Sequence, residues 1–108
     1  MGLLQWNKEF ALEQTGGDEE LLDELIILFQ DSSAADLKQL KAAITARDTD
    51  GIVAAAHSLK GAAASLGIEA VRDLALQIET NARAGELAGM EGQGTFMGEL
   101  LAELAKYH

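Results

Sequence analysis

An apolar stripe between residues 22 and 44 limits most strongly what this chain can fold into. Its members follow one another at intervals of 4, 3, 4, 4, 3 and 4 residues: Leu22, Ile26, Phe29, Ser33, Leu37, Leu40 and Ile44. This spacing matches the helical period of about 3.6 residues and predicts one side of a single helix about 40 Å long. Asp18, after Gly16 and Gly17 and before Glu19 and Glu20, is typical of a helix start.

The composition extends this prediction to the rest of the chain. Ala (19) and Leu (17) supply a third of the 108 residues, Val, Ile and Thr together number 13, and Pro is absent. Ala and Leu lose little entropy in a helix, whereas β-branched residues favour strands. We therefore predict an all-α protein, an antiparallel up-and-down four-helix bundle with a short extra N-terminal helix. Residues 1–108 are expected to form one domain.

The other helices are indicated by their own periodic segments. The first is a short helix whose aromatics Trp6 and Phe10 pack across one end of the bundle. A third helix runs from the Asp48–Gly51 turn to about Leu66, a fourth from Val71 to Ala82 and a final one from Met97 to Tyr107. Gly67 fits the left-handed position that closes a helix. Four glycines in residues 85–94 predict a flexible loop there.

The charge balance excludes several classes of function. Eight basic and 18 acidic residues give a net charge of −10, which argues against nucleic acid and anionic membrane surfaces as partners. Cys is absent, so thiol chemistry and Cys-ligated metals are excluded. The start of the chain does not resemble a secretion signal, and no apolar run approaches the roughly 20 residues that span a bilayer. A cytoplasmic domain with a protein partner is expected.

His57 is the residue on which the chemistry depends. The buried side of the third helix is predicted to consist of Ile52, Ala56, Leu59, Ala63 and Leu66. His57 points about 140° away from that direction, so it faces outward rather than forming a hydrogen-bonded core histidine, which is the alternative. Lys60, Gly61 and Ala64 fall on the same outward strip.

These neighbours suit an imidazole that carries a phosphoryl group. Lys60 can place an ammonium near the phosphoryl oxygens, although a lysine taken alone would be read as merely solvated. Gly61 costs about 1 kcal/mol relative to Ala inside a helix, and a missing side chain would let a second protein approach the imidazole. Tight helix packing is the alternative explanation for Gly61, and its outward direction makes that explanation weaker.

The run Ala56–Gly67, AHSLKGAAASLG, resembles the signature of histidine phosphotransfer (HPt) domains of two-component phosphorelays. That signature is a His, a Lys three residues later, a Gly four later and a Gly ten later, and His57, Lys60, Gly61 and Gly67 match it. The resemblance extends from about residue 6 to residue 84.

The resemblance implies a four-helix bundle with a preceding short helix and a phosphocarrier without a kinase or ATP site of its own. Its exposed His, here His57, would be phosphorylated on a ring nitrogen, usually Nε2. Lys60 would be its electrostatic partner and Gly61 the clearance for docking. The implied partners are response-regulator receiver domains and a hybrid sensor histidine kinase of a bacterial system. The receiver would supply Mg²⁺, so no cofactor or metal of this chain is expected.

The resemblance also implies a surface for the receiver on a monomeric carrier. Such partners dock mainly on small and apolar residues around the His, which here include Ala54, Gly61 and Ala64. Gln77 and Glu79 occupy the stretch of the next helix where the family often has a polar group near the imidazole. For Glu79 a solvated acid is the alternative.

Other classes fit the sequence less well. An ATPase or kinase needs a phosphate-binding glycine loop, and neither G-x-G-x-x-G nor GK[ST] occurs. A metal enzyme lacks ligands, because His57 and the terminal His108 are the only histidines and the acids show no EF-hand spacing. A non-catalytic helical adaptor, in which His57 is incidental, is the remaining alternative.

Overall fold

Five helices follow one another along residues 2–106, the part of the chain that the computed structural model describes. They are α1 (Lys8–Gln14), α2 (Glu19–Ala46), α3 (Thr49–Ser65), α4 (Glu69–Arg83) and α5 (Met90–Ala105). Within these residues the only strand-like pairing is an isolated bridge between Trp6 and Ile68. The predicted all-α fold is confirmed. No helix in the described range is long and apolar enough to cross a membrane.

The helix boundaries come from local side-chain and backbone chemistry. The Asp18 carboxylate accepts a hydrogen bond from the Leu21 amide, and Asp48 accepts one from the Gly51 amide, each at 3.1 Å. Both residues are therefore N-caps, Asp18 as predicted and Asp48 within the turn predicted to precede the third helix. Gly67 follows α3 with φ of +68°, the left-handed conformation expected of a residue that ends a helix.

The core lies between four helices, α2 to α5. α3 packs against α2 and α4, and α5 closes the bundle against the same two helices. Every member of the predicted α2 stripe is buried except Leu37, which is half-buried. Ser33 is the one polar member, and its hydroxyl donates to the Gln30 carbonyl at 3.3 Å within the same helix. This local bond satisfies the hydroxyl inside an otherwise apolar interior.

The N-terminal segment differs from its prediction in one respect. Trp6 precedes α1 instead of lying in it, and of the two aromatics only Phe10 belongs to the helix. Trp6 Nε1 donates to the Leu66 carbonyl at 2.9 Å, and the Asn7 amide donates to the Gly67 carbonyl at 2.8 Å. Trp6 and Asn7, just before α1, therefore bind the α3–α4 turn through hydrogen bonds that the hydrophobic pattern does not reveal.

The prediction of a flexible loop over residues 85–94 is wrong in its second half. The α4–α5 connection covers residues 84–89, and Gly92 and Gly94 lie inside α5. A Cβ atom on Gly94 would lie 3.2 Å from Ile44 Cδ1, so the glycine allows α5 to pack closely on α2. Packing against the bundle thus overrides the poor helix propensity of glycine. Tyr107 and His108 lie outside the described residues.

Candidate functional site

α3 presents one side to the core and the opposite side to solvent, as the sequence predicts. Its five predicted core residues are all buried: Ile52, Ala56, Leu59, Ala63 and Leu66. On the other side the His57 side chain is 65% exposed. Gly61 and Ala64 are exposed beside it, and Lys60 is half-buried. The imidazole therefore stands in solvent, and the alternative of a core histidine does not apply.

Glu79 of α4 is the residue that organises this surface. Its side chain is only 5% exposed, yet its carboxylate has three partners. Lys60 Nζ donates to Oε1 at 2.7 Å, and Arg83 donates to Oε2 at 2.8 Å. His57 Nδ1 lies 3.2 Å from the same Oε2. A solvated acid is therefore the wrong interpretation of Glu79, because α4 packs on α3 and turns this carboxylate inward.

The contact between Glu79 and His57 assigns the two ring nitrogens. An ionised carboxylate can only accept hydrogen bonds, so Nδ1 of the imidazole must be the donor. In the neutral ring the lone pair then resides on Nε2. The contact thus leaves Nε2 as the unprotonated nitrogen of this exposed side chain.

The charges of the site differ in sign from those of the whole chain. The hydrogen bond from Lys60, followed by that from Arg83, lowers the pKa of Glu79 from 4.5 to about 2, while burial opposes this shift. Glu79 is therefore ionised at neutral pH. One carboxylate and two cations leave a local charge of about +1 next to the imidazole, on a protein whose net charge is −10. Such a site favours an anionic group on the ring.

Small residues surround His57 on the side away from α4. A Cβ atom added to Gly61 would meet no atom within 4 Å, so helix packing does not require a glycine at this position. Ala54 and Ala64 are also exposed. The side chains next to the imidazole are consequently short, and they leave it open to a second molecule.

The structure separates the two α4 residues that the sequence suggested. Gln77 lies two positions before Glu79, about 200° around the helix. It is exposed and lines a different groove with Leu3 and Phe96, so it is not brought to His57. Arg83 does reach the cluster, and sequence reasoning missed it. Its spacing of four residues from Glu79 was the available signal.

Two solved structures share this fold. The chain resembles histidine-containing phosphotransfer protein B of Pseudomonas aeruginosa, with 23% identity over 95% of this chain and 90% of that one and a TM-score of 0.86. It also resembles the HPT domain of a sensor hybrid histidine kinase from Shewanella, with 19% identity over 98% and 92% of the two chains and a TM-score of 0.81. No curated protein sequence matches the chain significantly.

The family itself is shown by a sequence match. The Hpt domain family model covers residues 24–107, from the first turns of α2 onward. This range includes the exposed imidazole and the three residues whose charges meet beside it. The chain belongs to the Hpt domain family, the phosphotransfer carriers of phosphorelays.

Proposed function

We propose that His57 is the phosphoacceptor of this carrier, with residues 1–108 acting as one domain. The observation that carries the proposal is an exposed imidazole whose Nδ1 is held by the buried carboxylate of Glu79 at 3.2 Å. A nucleophile must be accessible and must keep a lone pair, and this arrangement provides both. The phosphoryl group would come from the aspartyl phosphate of one receiver domain and go to the aspartate of another.

The transfer step uses the two ring nitrogens differently. The Nε2 lone pair attacks phosphorus while the P–O bond to the receiver aspartate breaks, and the bonding electron pair leaves with the aspartate carboxylate. The proton on Nδ1 stays in place, so the phosphorylated ring carries a positive charge. The Glu79 carboxylate, already bound to that proton, offsets the new charge without having to move.

Lys60 has a different role in the proposal. In the unphosphorylated protein its ammonium binds Glu79 Oε1 at 2.7 Å, and its side chain is 28% exposed. A lysine has a flexible four-carbon stem, so the ammonium can turn from Oε1 to the phosphoryl oxygens one helical turn away. It would then offset the negative charge of the transferred group.

The proposed partners are receiver domains and a hybrid sensor histidine kinase, and the chain acts as a monomeric phosphocarrier in the cytoplasm rather than as an enzyme. A receiver would approach over Ala54, Gly61 and Ala64, which are small and exposed. The receiver would also bring Mg²⁺ to its own aspartate. Within residues 2–106 no three His, Cys, Asp or Glu side chains are grouped closely enough to hold a metal ion.

A labelling experiment tests the acceptor directly. Receiver domains carrying a radioactive aspartyl phosphate are mixed with the wild-type protein, with His57→Gln and with His108→Gln, the other histidine. We expect acid-labile, alkali-stable label on the wild type and on His108→Gln, and none on His57→Gln. Equal labelling of His57→Gln would disprove the assignment. No label on any form, across a panel of receivers, would favour the helical adaptor.

A further inference from the structure

Arg83 makes a contact that the proposed reaction does not yet use. Its guanidinium donates to Glu79 Oε2 at 2.8 Å, the oxygen that also faces His57 Nδ1. The two residues are one helical turn apart on α4, and the Arg83 side chain itself is exposed. Arg83 therefore holds a buried carboxylate from the solvent side.

The two oxygens of Glu79 divide their partners unequally. Oε1 binds Lys60, whereas Oε2 binds Arg83 and faces His57. If Lys60 turns toward a phosphoryl group, Oε1 loses its cation while the partners of Oε2 stay in place. A buried carboxylate without any cation would tend to take up a proton and could no longer accept the hydrogen bond from Nδ1.

We propose that Arg83 is a positioning residue, a second counter-ion that keeps Glu79 ionised and bound to His57 Nδ1 while Lys60 serves the phosphoryl group. This inference rests on the proposed function, because it gives Lys60 a second position during transfer. Arg83 acts through Glu79 and does not need to touch the reacting atoms. Its i+4 spacing suits this task, since it brings the guanidinium to Oε2 from the same helix.

The charges around Glu79 agree with this role. The charged and titratable groups that contact its carboxylate within residues 2–106 are His57 and Lys60 from α3 and Arg83 from α4. The Lys60 and Arg83 hydrogen bonds are the two largest causes that lower the Glu79 pKa, and burial works against them. Removing both cations leaves burial largely unopposed.

Titration of the Glu79 carboxyl group by carbon NMR tests the inference without any phosphoryl donor. Lys60→Ala imitates the departure of the ammonium, and Arg83→Gln or Arg72→Gln is added to it. Arg72 is the matched control, an arginine on the same helix that pairs with Asp73 at 2.8 Å. We expect the Glu79 midpoint to stay below 4.5 in Lys60→Ala and with Arg72→Gln, and to rise above 4.5 with Arg83→Gln. Arg83→Lys should keep it low.

Equal midpoints for the Arg83→Gln and Arg72→Gln double variants would overturn the inference. So would a midpoint already above 4.5 in Lys60→Ala alone, because Arg83 would then be too weak a counter-ion. Circular dichroism checks that each variant is folded. If the Arg83→Gln double variant does not fold, chemical phosphorylation of the single variants Arg83→Gln and Arg72→Gln tests the role of Arg83 instead.

Chemical phosphorylation provides the second measurement. Phosphoramidate transfers its phosphoryl group to an imidazole nitrogen as its P–N bond breaks and ammonia leaves, so no receiver is needed. We expect Arg83→Gln to be labelled roughly tenfold more slowly than Arg72→Gln, because Glu79 would then be a weaker acceptor for the proton on Nδ1. Phosphorus NMR should show label on Nε2 in the wild type and a share on Nδ1 in Arg83→Gln.

The labelling rate and the identity of the labelled nitrogen test the role of Arg83 separately from the role of His57 as phosphoacceptor. Equal rates and an unchanged Nε2 label in Arg83→Gln and Arg72→Gln would overturn the role of Arg83 and leave His57 as acceptor. A wild-type protein that receivers fail to label at all would instead contradict the proposed function, while the Glu79 titration would still decide whether Arg83 is the second counter-ion.

Discussion

At the scale of single residues, a buried carboxylate lies beside an exposed imidazole, and each constrains the other. The Glu79 carboxylate stays ionised although it is buried, because Lys60 and Arg83 pair with it. In return it fixes the proton of His57 on Nδ1. The reactivity that we propose for His57 therefore depends on a residue 22 positions away in the sequence.

The role of Lys60 leads to a prediction about transfer rate. Lys60→Ala should slow phosphoryl transfer to His57 roughly tenfold, because a charge-assisted hydrogen bond to the phosphoryl oxygens is lost. The bundle should stay folded, since the lysine lies at the surface of α3. Rapid-quench labelling from a phosphorylated receiver measures the rate. Lys41, an exposed lysine of α2 in the groove next to α5, provides the control. An equal effect of Lys41→Ala and Lys60→Ala would contradict the role.

Glu79 predicts a pH dependence of stability. Its pKa is about 2 in the folded protein and 4.5 in the reference state, so its ionised form stabilises the fold. That contribution is fully present above pH 4.5, declines as the pH falls, and is lost below about pH 2. The free energy of unfolding of the wild type should therefore exceed that of Glu79→Gln at pH 7, by roughly 1–2 kcal/mol.

Urea unfolding of both proteins at pH 7, 4 and 2 measures this difference. It should shrink with falling pH and approach zero near pH 2. The comparison between two proteins cancels the titration of the other acidic residues. A difference that stays constant across this range would show that the ionised carboxylate does not stabilise the fold.

At the scale of the helices, α3 packs one side into the core and presents the proposed acceptor on the other. Its buried stripe anchors it between α2 and α4, and its outer strip carries the imidazole among small residues. Helical periodicity places these two sets on opposite sides, which is why the direction of His57 could be predicted from the sequence alone.

Gly61 allows the fold and the docking surface to be tested separately. Gly61→Ala should raise the free energy of unfolding by up to about 1 kcal/mol, because alanine favours the helix and its Cβ meets no neighbour. Gly61→Leu should fold as well but weaken receiver binding, since the longer side chain would stand beside the imidazole. Calorimetric titration with a receiver measures the affinity. Unchanged binding by Gly61→Leu would refute the clearance argument.

The element boundaries show where local sequence patterns are sufficient. Asp18, Asp48 and Gly67 mark three boundaries correctly, because caps and left-handed residues act within a few positions of the chain. Gly92 and Gly94 were wrongly assigned to a loop. For Gly94 the reason lies across the bundle, because a Cβ atom there would lie 3.2 Å from Ile44 Cδ1. The prediction that Trp6 lies in the first helix was wrong for a similar reason, because its hydrogen bond joins it to a turn 60 residues away.

At the scale of the whole molecule, the bundle measures 41 × 23 × 21 Å and carries a net charge of −10. The cations Lys60 and Arg83 give the surface around His57 the opposite sign. The net negative charges of two copies repel one another, which disfavours self-association.

We therefore expect a monomer in solution. Sedimentation equilibrium should give a mass near 11.4 kDa at both low and high salt, because no second copy is needed to complete the site. Exposed Leu28 on α2 provides the check. A concentration-dependent doubling of the mass that Leu28→Asp abolishes would show that the apolar face of α2 joins two copies.

The sequence by itself determined the all-α fold, the start of α2 and of α3, and the outward direction of His57 and Gly61, because these follow from periodicity and caps along one continuous segment. It also carried the resemblance from His57 to Gly67. Only the tertiary structure decided that Glu79, and not Gln77, meets the imidazole, that Lys60 is held by this carboxylate, and that Arg83 joins them. Those contacts depend on how α4 is rotated against α3, and that rotation is set by the packing of the whole bundle.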